Sequence, residues 1–400
     1  MKEMIKNHCS RVIFLFIFMG LYAFELGRQK ELCFAELKNM LGEKSLVEKN
    51  LDTAIFELEG VEGMMDQLGG TIKIIEILGE TSKQNIENDI EKILNDIFKG
   101  HEKKKVTFAI SKLSFASQHE INIKNLLIFS KKILKNLDLT GRFVNKGPSS
   151  PPSSTIFKAG ILKKGIDLCI IKGQKKWLLG RTVAIQNIND YSKRDYDKPA
   201  RDAKIGMLPP KLAQIMINLL GVNVEKIYDP FCGTGTVLTE ALLMDLSTMG
   251  SDLNREMVEA TQKNCEWLAH EFKTDSAGRI FHADARALNM EVKKGEFDAI
   301  VTEGYLGAPL TKVPSQEEQE IRFRELANLH ASWLAAAGQL MEKGQKIVMC
   351  VAAIQDGKKL IHLPRFEEIA TIAGFRILET FTYHRSDQIV VRDIKILEKI

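Results

Sequence analysis

The chain has 400 residues, of which 44% are hydrophobic and 27% are charged, and its net charge is +4. These values are ordinary for globular protein, and the length predicts two or three domains. Its six cysteines form no C-x-x-C pair. That spacing argues against a disulfide framework or a zinc knuckle, predicts no metal site, and favours buried thiols in a reducing, cytoplasmic setting.

The apolar run near the N-terminus has two interpretations. Residues 12–24 follow Lys2, Lys6 and Arg11, a pattern shared with signal peptides and membrane anchors. However, the run is shorter than the roughly 20 residues of a spanning helix, and no A-x-A-like cleavage site follows it. Translation could instead begin at Met19. We expect a soluble protein without a membrane partner, in which residues 1–19 are an apolar extension.

Residues 20–190 show strand and helix patterns in a mixed α+β order. Alternating apolar residues predict strands, and apolar residues three or four apart predict helices. The predicted strands are 21–25, 53–58, 72–78, 105–113, 141–145, 155–161, 166–171 and 177–185. The predicted helices are 31–37, 64–68, 86–98 and 123–137.

Three short segments of this half carry a family resemblance. They are Glu25-Leu26-Gly27-Arg28 with Glu31-Leu32, then Leu68-Gly69-Gly70-Thr71, and Gly180-Arg181-Thr182-Val183-Ala184-Ile185-Gln186. Together they resemble the N-terminal half of tRNA methyltransferases, which carries a THUMP domain that grips tRNA. The resemblance implies that residues 20–190 are a THUMP-like RNA-binding region.

Basic residues are concentrated in the middle of the chain. Residues 101–200 hold 20 Lys and Arg against 7 Asp and Glu, so the rest of the chain has a net charge of −9. This asymmetry predicts that the segment contacts a polyanion, although a merely solvated basic face is the alternative. The candidates for phosphate contacts are Lys163, Lys164, Lys172, Lys175, Lys176 and Arg181.

Residues 191–211 are predicted to link this half to a second domain at 212–400. Pro209 and Pro210 can open a helix whose apolar face includes Leu212 and Met216. In the tRNA methyltransferases that the chain resembles, the segment from Arg-Asp to Pro-Lys-Leu-Ala lies against the cofactor pocket. A purely structural linker helix is the alternative.

The most informative stretch is Asp229-Pro230-Phe231-Cys232-Gly233-Thr234-Gly235-Thr236. It reads as the end of a strand, a tight turn and the start of a helix, which is the arrangement of a nucleotide-type site in an open α/β sheet. Gly233 and Gly235 would let a ligand approach the backbone closely. A βα connection without a ligand could also use glycine, and no Lys follows the glycines, which excludes a phosphate-gripping P-loop.

Acidic residues end the strands that follow this turn. Asp252 is placed to accept hydrogen bonds from two ribose hydroxyls, and Asp284 from an adenine amino group. A fourth strand, residues 297–303, ends at Glu303. This order resembles the class I methyltransferases, which bind S-adenosyl-L-methionine. The resemblance implies a Rossmann-like α/β sheet whose cofactor contacts are Asp229, Phe231, Gly233, Gly235, Asp252 and Asp284.

The final segments suit the same fold. Ser315 and Glu318 form a capping box before a long predicted helix, residues 346–352 read as the fifth strand, and residues 375–384 and 388–397 read as a closing hairpin. Class I methyltransferases end their sheet with such a reversed strand.

More narrowly, Asp-Pro-Phe-Cys-Gly-Thr-Gly-Thr with Glu240-Ala241 resembles the RNA methylases that include tRNA guanosine-N2 methyltransferases of the guanine-10 type. In amino-methylating relatives the fourth strand ends in Asp or Asn, two prolines and an aromatic residue. Here Glu303, Gly304 and Tyr305 stand instead. The resemblance implies that Glu303 accepts an N–H of the amine and that Tyr305 stacks on the extruded base.

We therefore predict methylation of guanosine N2 in tRNA. One alternative is an RNA-binding protein whose methyltransferase fold no longer turns over. Another is an amino methyltransferase of other specificity, although the basic N-terminal half argues against DNA as a partner.

Overall fold

The computed structural model describes residues 19–101, 104–117, 120–147, 149–201, 207–384 and 388–400. These residues form two eight-stranded sheets, β1 to β8 in the N-terminal sheet and β9 to β16 in the C-terminal sheet. The predicted extension at 1–19 lies outside the described residues, apart from Met19.

The N-terminal sheet has the strand order β2-β3-β1-β4-β8-β7-β5-β6. Most neighbours are antiparallel, whereas β5 runs parallel to both β6 and β7. Its strands are β1 (Gly20–Leu26), β2 (Leu46–Lys49), β3 (Thr53–Leu58), β4 (Thr71–Thr81), β5 (Lys105–Leu113), β6 (Thr140–Phe143), β7 (Gly165–Lys172) and β8 (Trp177–Ile185). Its helices are α1 (Lys30–Leu41), α2 (Met64–Gln67), α3 (Ile86–Phe98), α4 (Ile123–Asn136), α5 (Ser153–Ala159), α6 (Ile161–Lys164) and α7 (Ile188–Tyr196).

One predicted strand of this half is wrong. Residues 155–161 form helix α5 and the start of α6, separated by Gly160 at φ 63°. Ile156 and Ile161 are buried against Ala109 and Ile185 of the sheet. The helical turn brings both isoleucines onto one surface, and this burial outweighs the preference of β-branched residues for strands.

The C-terminal sheet has the order β11-β10-β9-β12-β13-β16-β15, with the short β14 paired to β13. Strands β9 to β13 are parallel, and β16 runs antiparallel between β13 and β15. The predicted fold class, an α/β sheet with a reversed last strand, is confirmed. The bounds are α8 (Pro210–Asn218), β9 (Lys226–Asp229), α9 (Thr236–Leu243), β10 (Ser247–Asp252), α10 (Arg255–Phe272), β11 (Ile280–His282), β12 (Ala299–Thr302), α11 (Gln316–Leu340), β13 (Lys346–Asp356), β14 (Lys359–Ile361), α12 (Phe366–Ile372), β15 (Phe375–Tyr383) and β16 (Val390–Lys399).

Helices cover both faces of this parallel sheet, which is why its strands are almost continuously apolar. Trp333 of α11 and Tyr228 of β9 are fully buried in the core on one face. Helices α8 and α9 cover the opposite face. The capping box of α11 is confirmed, because Ser315 and Glu318 each accept the other's backbone N–H.

Polar contacts join the two sheets. Glu36 of α1 is buried and accepts hydrogen bonds from the Gly69 and Gly70 amides and from Asn218 of α8. Arg194 of α7 donates to the buried Glu240 of α9 at 2.7 Å. Helix α7 therefore runs into the segment predicted as a linker and is fixed against the helix that follows the glycine turn.

No helix in the described part of the chain combines the length and apolar character needed to cross a bilayer. Five cysteines, Cys33, Cys169, Cys232, Cys265 and Cys350, are buried free thiols. Cys9 lies outside the described residues.

Candidate active site at the carboxyl edge of the parallel sheet

The carboxyl ends of β9, β10 and β12 surround a cavity of about 940 Å³. Seven of the eight residues proposed for the cofactor and for catalysis line this cavity; the eighth, Gly235, precedes the first residue of α9. Parallel strands deliver residues distant in sequence to one edge of a sheet, where ligands of open α/β folds bind. A smaller cavity of about 510 Å³ opens beside Lys226 and Ser247, at the amino edge of the same strands and away from these residues.

Glycine occurs at the two positions of the turn for different structural reasons. Gly235 has φ 82°, and a Cβ there would lie 2.9 Å from Cγ2 of Thr261. Gly233 has φ 53°, and a Cβ there would meet nothing within 4 Å. The wall of the cavity is thus bare backbone at Gly233, which leaves room for a ligand.

Asp229 ends β9 and is buried. Burial raises the pKa of its carboxyl to about 7, although hydrogen bonds from the Thr302 hydroxyl and the Phe231 amide oppose the shift. The charges of Asp252 and Glu303 raise this pKa further. Three carboxyl groups therefore converge on the cavity, an arrangement that favours a cationic ligand.

Asp252 ends β10, and its position is fixed by backbone donors. Its Oδ2 accepts the Gly233 N–H at 2.9 Å, and its Oδ1 accepts the Asn254 N–H at 2.9 Å. Because a carboxylate oxygen has further lone pairs, these bonds orient the group without saturating it.

Asp284 caps the short 3₁₀ turn that follows β11. Its carboxylate accepts two N–H groups from Arg286, at 3.0 and 2.6 Å, and this hydrogen bonding lowers the pKa of Asp284. An adenine amino group would therefore have to share this carboxylate with Arg286.

Glu303 follows β12 and forms an ion pair that was not predicted. Arg392 of β16 donates through Nε and Nη2 to Oε1 of Glu303, both at 2.6 Å. Burial raises the pKa of Glu303, and Arg392 opposes this shift. Among the described residues, no donor forms a hydrogen bond to Oε2.

The acceptor loop, residues 303–309, is held by a second arginine. Arg322 of α11 donates to the carbonyls of Leu306 at 2.6 Å and Ala308 at 2.8 Å. Gly307 has φ 86°, and a Cβ there would lie 2.5 Å from the guanidinium. This loop leaves Tyr305 51% exposed at the rim of the cavity.

Gly304 stands where the related motif has its first proline. Its φ of 67° is closed to proline, and its N–H donates to the Thr302 hydroxyl at 3.0 Å. The departure from the family motif is therefore a different backbone conformation. In this loop, two hydrogen bonds from Arg322 hold the Leu306 and Ala308 carbonyls.

Sequence reasoning missed Arg392 and Arg322. Arg392 had a usable signal, since an arginine within a predicted strand of the closing hairpin requires a partner when it is buried. Arg322 had none, because a long helix with many charged residues does not reveal which one contacts a loop.

The six predicted phosphate contacts divide into two groups. Three are paired with carboxylates: Lys172 with Glu120 at 2.6 Å, Arg181 with Glu76 at 2.7 Å, and Lys176 with Glu80. Lys163, Lys164 and Lys175 are exposed and form no ion pair with another described residue.

The cavity suits S-adenosyl-L-methionine in shape and charge. At Gly233 the wall has no side chain, so the ligand can approach the backbone there. Phe231 and Leu208 offer apolar surface. The three carboxyl groups complement the sulfonium and ammonium groups of the ligand. Thr236 begins the helix behind the turn.

Comparisons with known proteins agree with this geometry. Residues 198–375 match the RMKL-like methyltransferase domain. The chain is 33% identical over 200 residues to a tRNA (guanine(10)-N2)-dimethyltransferase of Methanothermobacter thermautotrophicus, a match that spans 49% of this chain and half the length of that protein. It is 28% identical over 299 residues to the enzyme of the same name from Pyrococcus abyssi, covering 73% of this chain and 80% of that one.

Among solved structures, TrmN from Thermus thermophilus is similar in fold. The TM-score is 0.56 at 14% identity, with 96% of this chain and all of that chain covered. The predicted resemblance to tRNA guanine-N2 methyltransferases is confirmed by these relatives. The matched residues, 198–375, include every residue predicted for the cofactor and for catalysis.

Proposed function

We propose that the protein methylates the N2 amine of a guanosine in tRNA, with Glu303 and Tyr305 as catalytic residues. The observation that carries this proposal is Glu303, which lines the cofactor cavity while Arg392 holds its Oε1. The names of the relatives, which specify guanine N2 of tRNA, support the choice of substrate.

Methyl transfer requires the protein to position the reactants and to stabilise charge. S-adenosyl-L-methionine supplies an electrophilic methyl group, so the protein must hold the amine in line with that group. The amine needs no strong base before attack, because it loses its proton after the methyl arrives. Glu303 Oε2 accepts an N–H, makes the lone pair more available and stabilises the positive charge that develops on nitrogen.

Two further parts of the proposal concern recognition. The exposed ring of Tyr305 stacks on the extruded base at the rim of the cavity. Residues 20–190 act as a THUMP-like RNA-binding region, 191–211 as the linker and 212–400 as the methyltransferase domain. In that region Lys163, Lys164 and Lys175 contact phosphates, whereas the three paired residues contribute less. A cytoplasmic location is supported by the five free thiols.

The test is a methylation assay with unmodified tRNA and labelled cofactor, read by mass spectrometry of the digested nucleosides. We expect N2-methylguanosine or N2,N2-dimethylguanosine. A methyl group on another atom would refute the role of Glu303.

The competing function is an RNA-binding protein without turnover. The altered acceptor loop favours it, since Gly304 replaces a proline and Glu303 is already ion-paired. Tight binding of both cofactor and tRNA, with no methyl transfer to any tRNA nucleoside, would establish this alternative.

A further inference from the structure

The outer surface of α4 carries a cluster of positive charge. We define the lysine face as Lys124, Lys131, Lys132 and Lys135. All four are exposed, and none forms an ion pair with another described residue. At 100° per residue they lie within one arc of the helix, about 16 Å long, with the half-exposed Ile128 in its middle.

A surface helix that only provides solubility usually mixes both signs of charge. The neighbouring α3 does so, with Glu87, Glu91 and Asp96 exposed beside Lys92. Helix α4 has no acidic residue. Lys131 and Lys135 are four residues apart, and such like-charge pairs destabilise a helix by a few tenths of a kcal/mol.

We infer that the lysine face binds the phosphate backbone of the RNA substrate, and this inference rests on the proposed function. Helices α4 and α6 pack on opposite faces of the N-terminal sheet, because Phe108 and Ile110 pack with α4 while Ala109 packs with α6. The lysine face is thus a second contact surface, separate from Lys163 and Lys164. Lysine contacts of this kind give affinity and register but no base identity.

The experiment compares two quadruple variants in the full-length protein. Lys124, Lys131, Lys132 and Lys135 are replaced by Gln, which keeps helix propensity. In the control, the exposed Lys263, Lys293, Lys294 and Lys343 are replaced by Gln, with the same change in net charge. Binding of unmodified tRNA is measured from 50 to 200 mM salt by fluorescence anisotropy.

We expect the slope of log K against log salt to fall by about 3 in the first variant, at 0.7–0.9 per lost phosphate contact. The KM for tRNA should rise while kcat at saturating tRNA is unchanged. Equal losses in both variants, or none in the first, would overturn the inference. If the unmodified protein neither binds nor methylates tRNA, the proposed function itself fails.

A second inference rests on the ion pair at Glu303. We propose that Arg392 is a positioning residue that keeps this carboxylate ionised and turns Oε2 toward the substrate amine. The Arg392 side chain is buried, with an exposure of 6%, and its Nε and Nη2 both contact Oε1 of Glu303. Without this cation the buried carboxylate would face Asp229 of β9 and the Cys350 thiol of β13, neither of which favours its charge. The Tyr383 hydroxyl of β15 also lies near Arg392.

The pH dependence of kcat distinguishes positioning from simple structural support. Arg392→Gln should move the acid limb of the profile to higher pH, so that activity lost at pH 7 returns at alkaline pH. Arg392→Lys keeps a positive charge and should move this limb less. Cofactor affinity should stay within twofold in both variants.

A loss of activity that is equal at every pH in both variants would overturn this role. The same profile in Arg392→Gln as in the unmodified protein would do so as well. Both results require methylation by the unmodified protein, so they are distinct from failure of the proposed function.

Discussion

The carboxyl edge of the C-terminal sheet and the basic surface of the N-terminal sheet differ in how their side chains are held in place. At the sheet edge, Asp229, Asp252 and Glu303 converge although they are far apart in sequence. On the basic surface, three of six proposed contacts are occupied by carboxylates. Strand ends are fixed by backbone hydrogen bonds, whereas a lysine on a flexible stem takes whichever partner lies nearby. The position of a residue in the sequence therefore predicts a site only where the backbone fixes its side chain.

The sharpest test of the sheet edge is Glu303→Ala. We expect turnover to fall by about two to three decades, on the scale of losing one oxyanion-hole donor, while cofactor affinity is retained. Glu317→Ala, an exposed change in the first turn of α11, is the control. Single-turnover methylation and calorimetry measure the two quantities. Unchanged turnover would mean that the carboxylate at this strand end is not catalytic.

Asp252→Ala should affect binding of the cofactor. Loss of charge-assisted bonds to two hydroxyls should cost on the order of 2 kcal/mol, or about thirtyfold in affinity. The variant also frees the Gly233 N–H that Asp252 now accepts. Calorimetric titration measures the cofactor affinity, and Glu259→Ala, at an exposed position, is the control. Equal affinities would remove Asp252 from the cofactor site.

Arg322→Gln tests whether a side chain can replace proline rings in the acceptor loop. Losing the charged hydrogen bonds to the Leu306 and Ala308 carbonyls should destabilise the ordered conformation of the loop by about 1.5 kcal/mol, and hence lower kcat about tenfold. Cofactor affinity should not change. Arg324→Gln alters an exposed arginine of the same helix and should leave kcat as it is.

The pKa of Asp229 predicts how cofactor affinity depends on pH. Below its value of about 7 the carboxyl is protonated in the free protein. Ionising it to meet a cation then costs free energy, so affinity should rise with pH by up to tenfold per unit and level off above about 8. Calorimetry at pH 6, 7 and 8 should detect proton release, and Asp229→Asn should flatten the profile. A flat profile in the unmodified protein would count against a cation beside Asp229.

The smallest effect is expected on the basic surface. Replacing Lys172 and Lys176 by Ala should lower the salt slope of tRNA binding by less than one phosphate contact, because Glu120 and Glu80 already neutralise them. Lys175→Ala alone should have a comparable or larger effect, since Lys175 has no ion-pair partner among the described residues. A double variant that lowers the slope by two would show that RNA displaces both carboxylates.

The Rossmann-like topology of the C-terminal sheet was implied by the resemblance to class I methyltransferases, whereas the succession of its elements, its glycine turn and the acids at its strand ends could be predicted from the residues themselves. These follow from periodicity and from backbone geometry that few residue types can adopt, as at Gly235. The confirmed capping box at Ser315 is local in the same sense, since its two partners are three residues apart.

The contacts between distant segments depend on the tertiary structure. Arg392 meets Glu303 across 89 residues, and Arg322 meets the acceptor loop 14 to 16 residues away. The helix at 155–161 formed because Ile156 and Ile161 found a buried surface on the sheet. In each case the deciding free energy comes from burial or from pairing with a partner whose position depends on the whole fold.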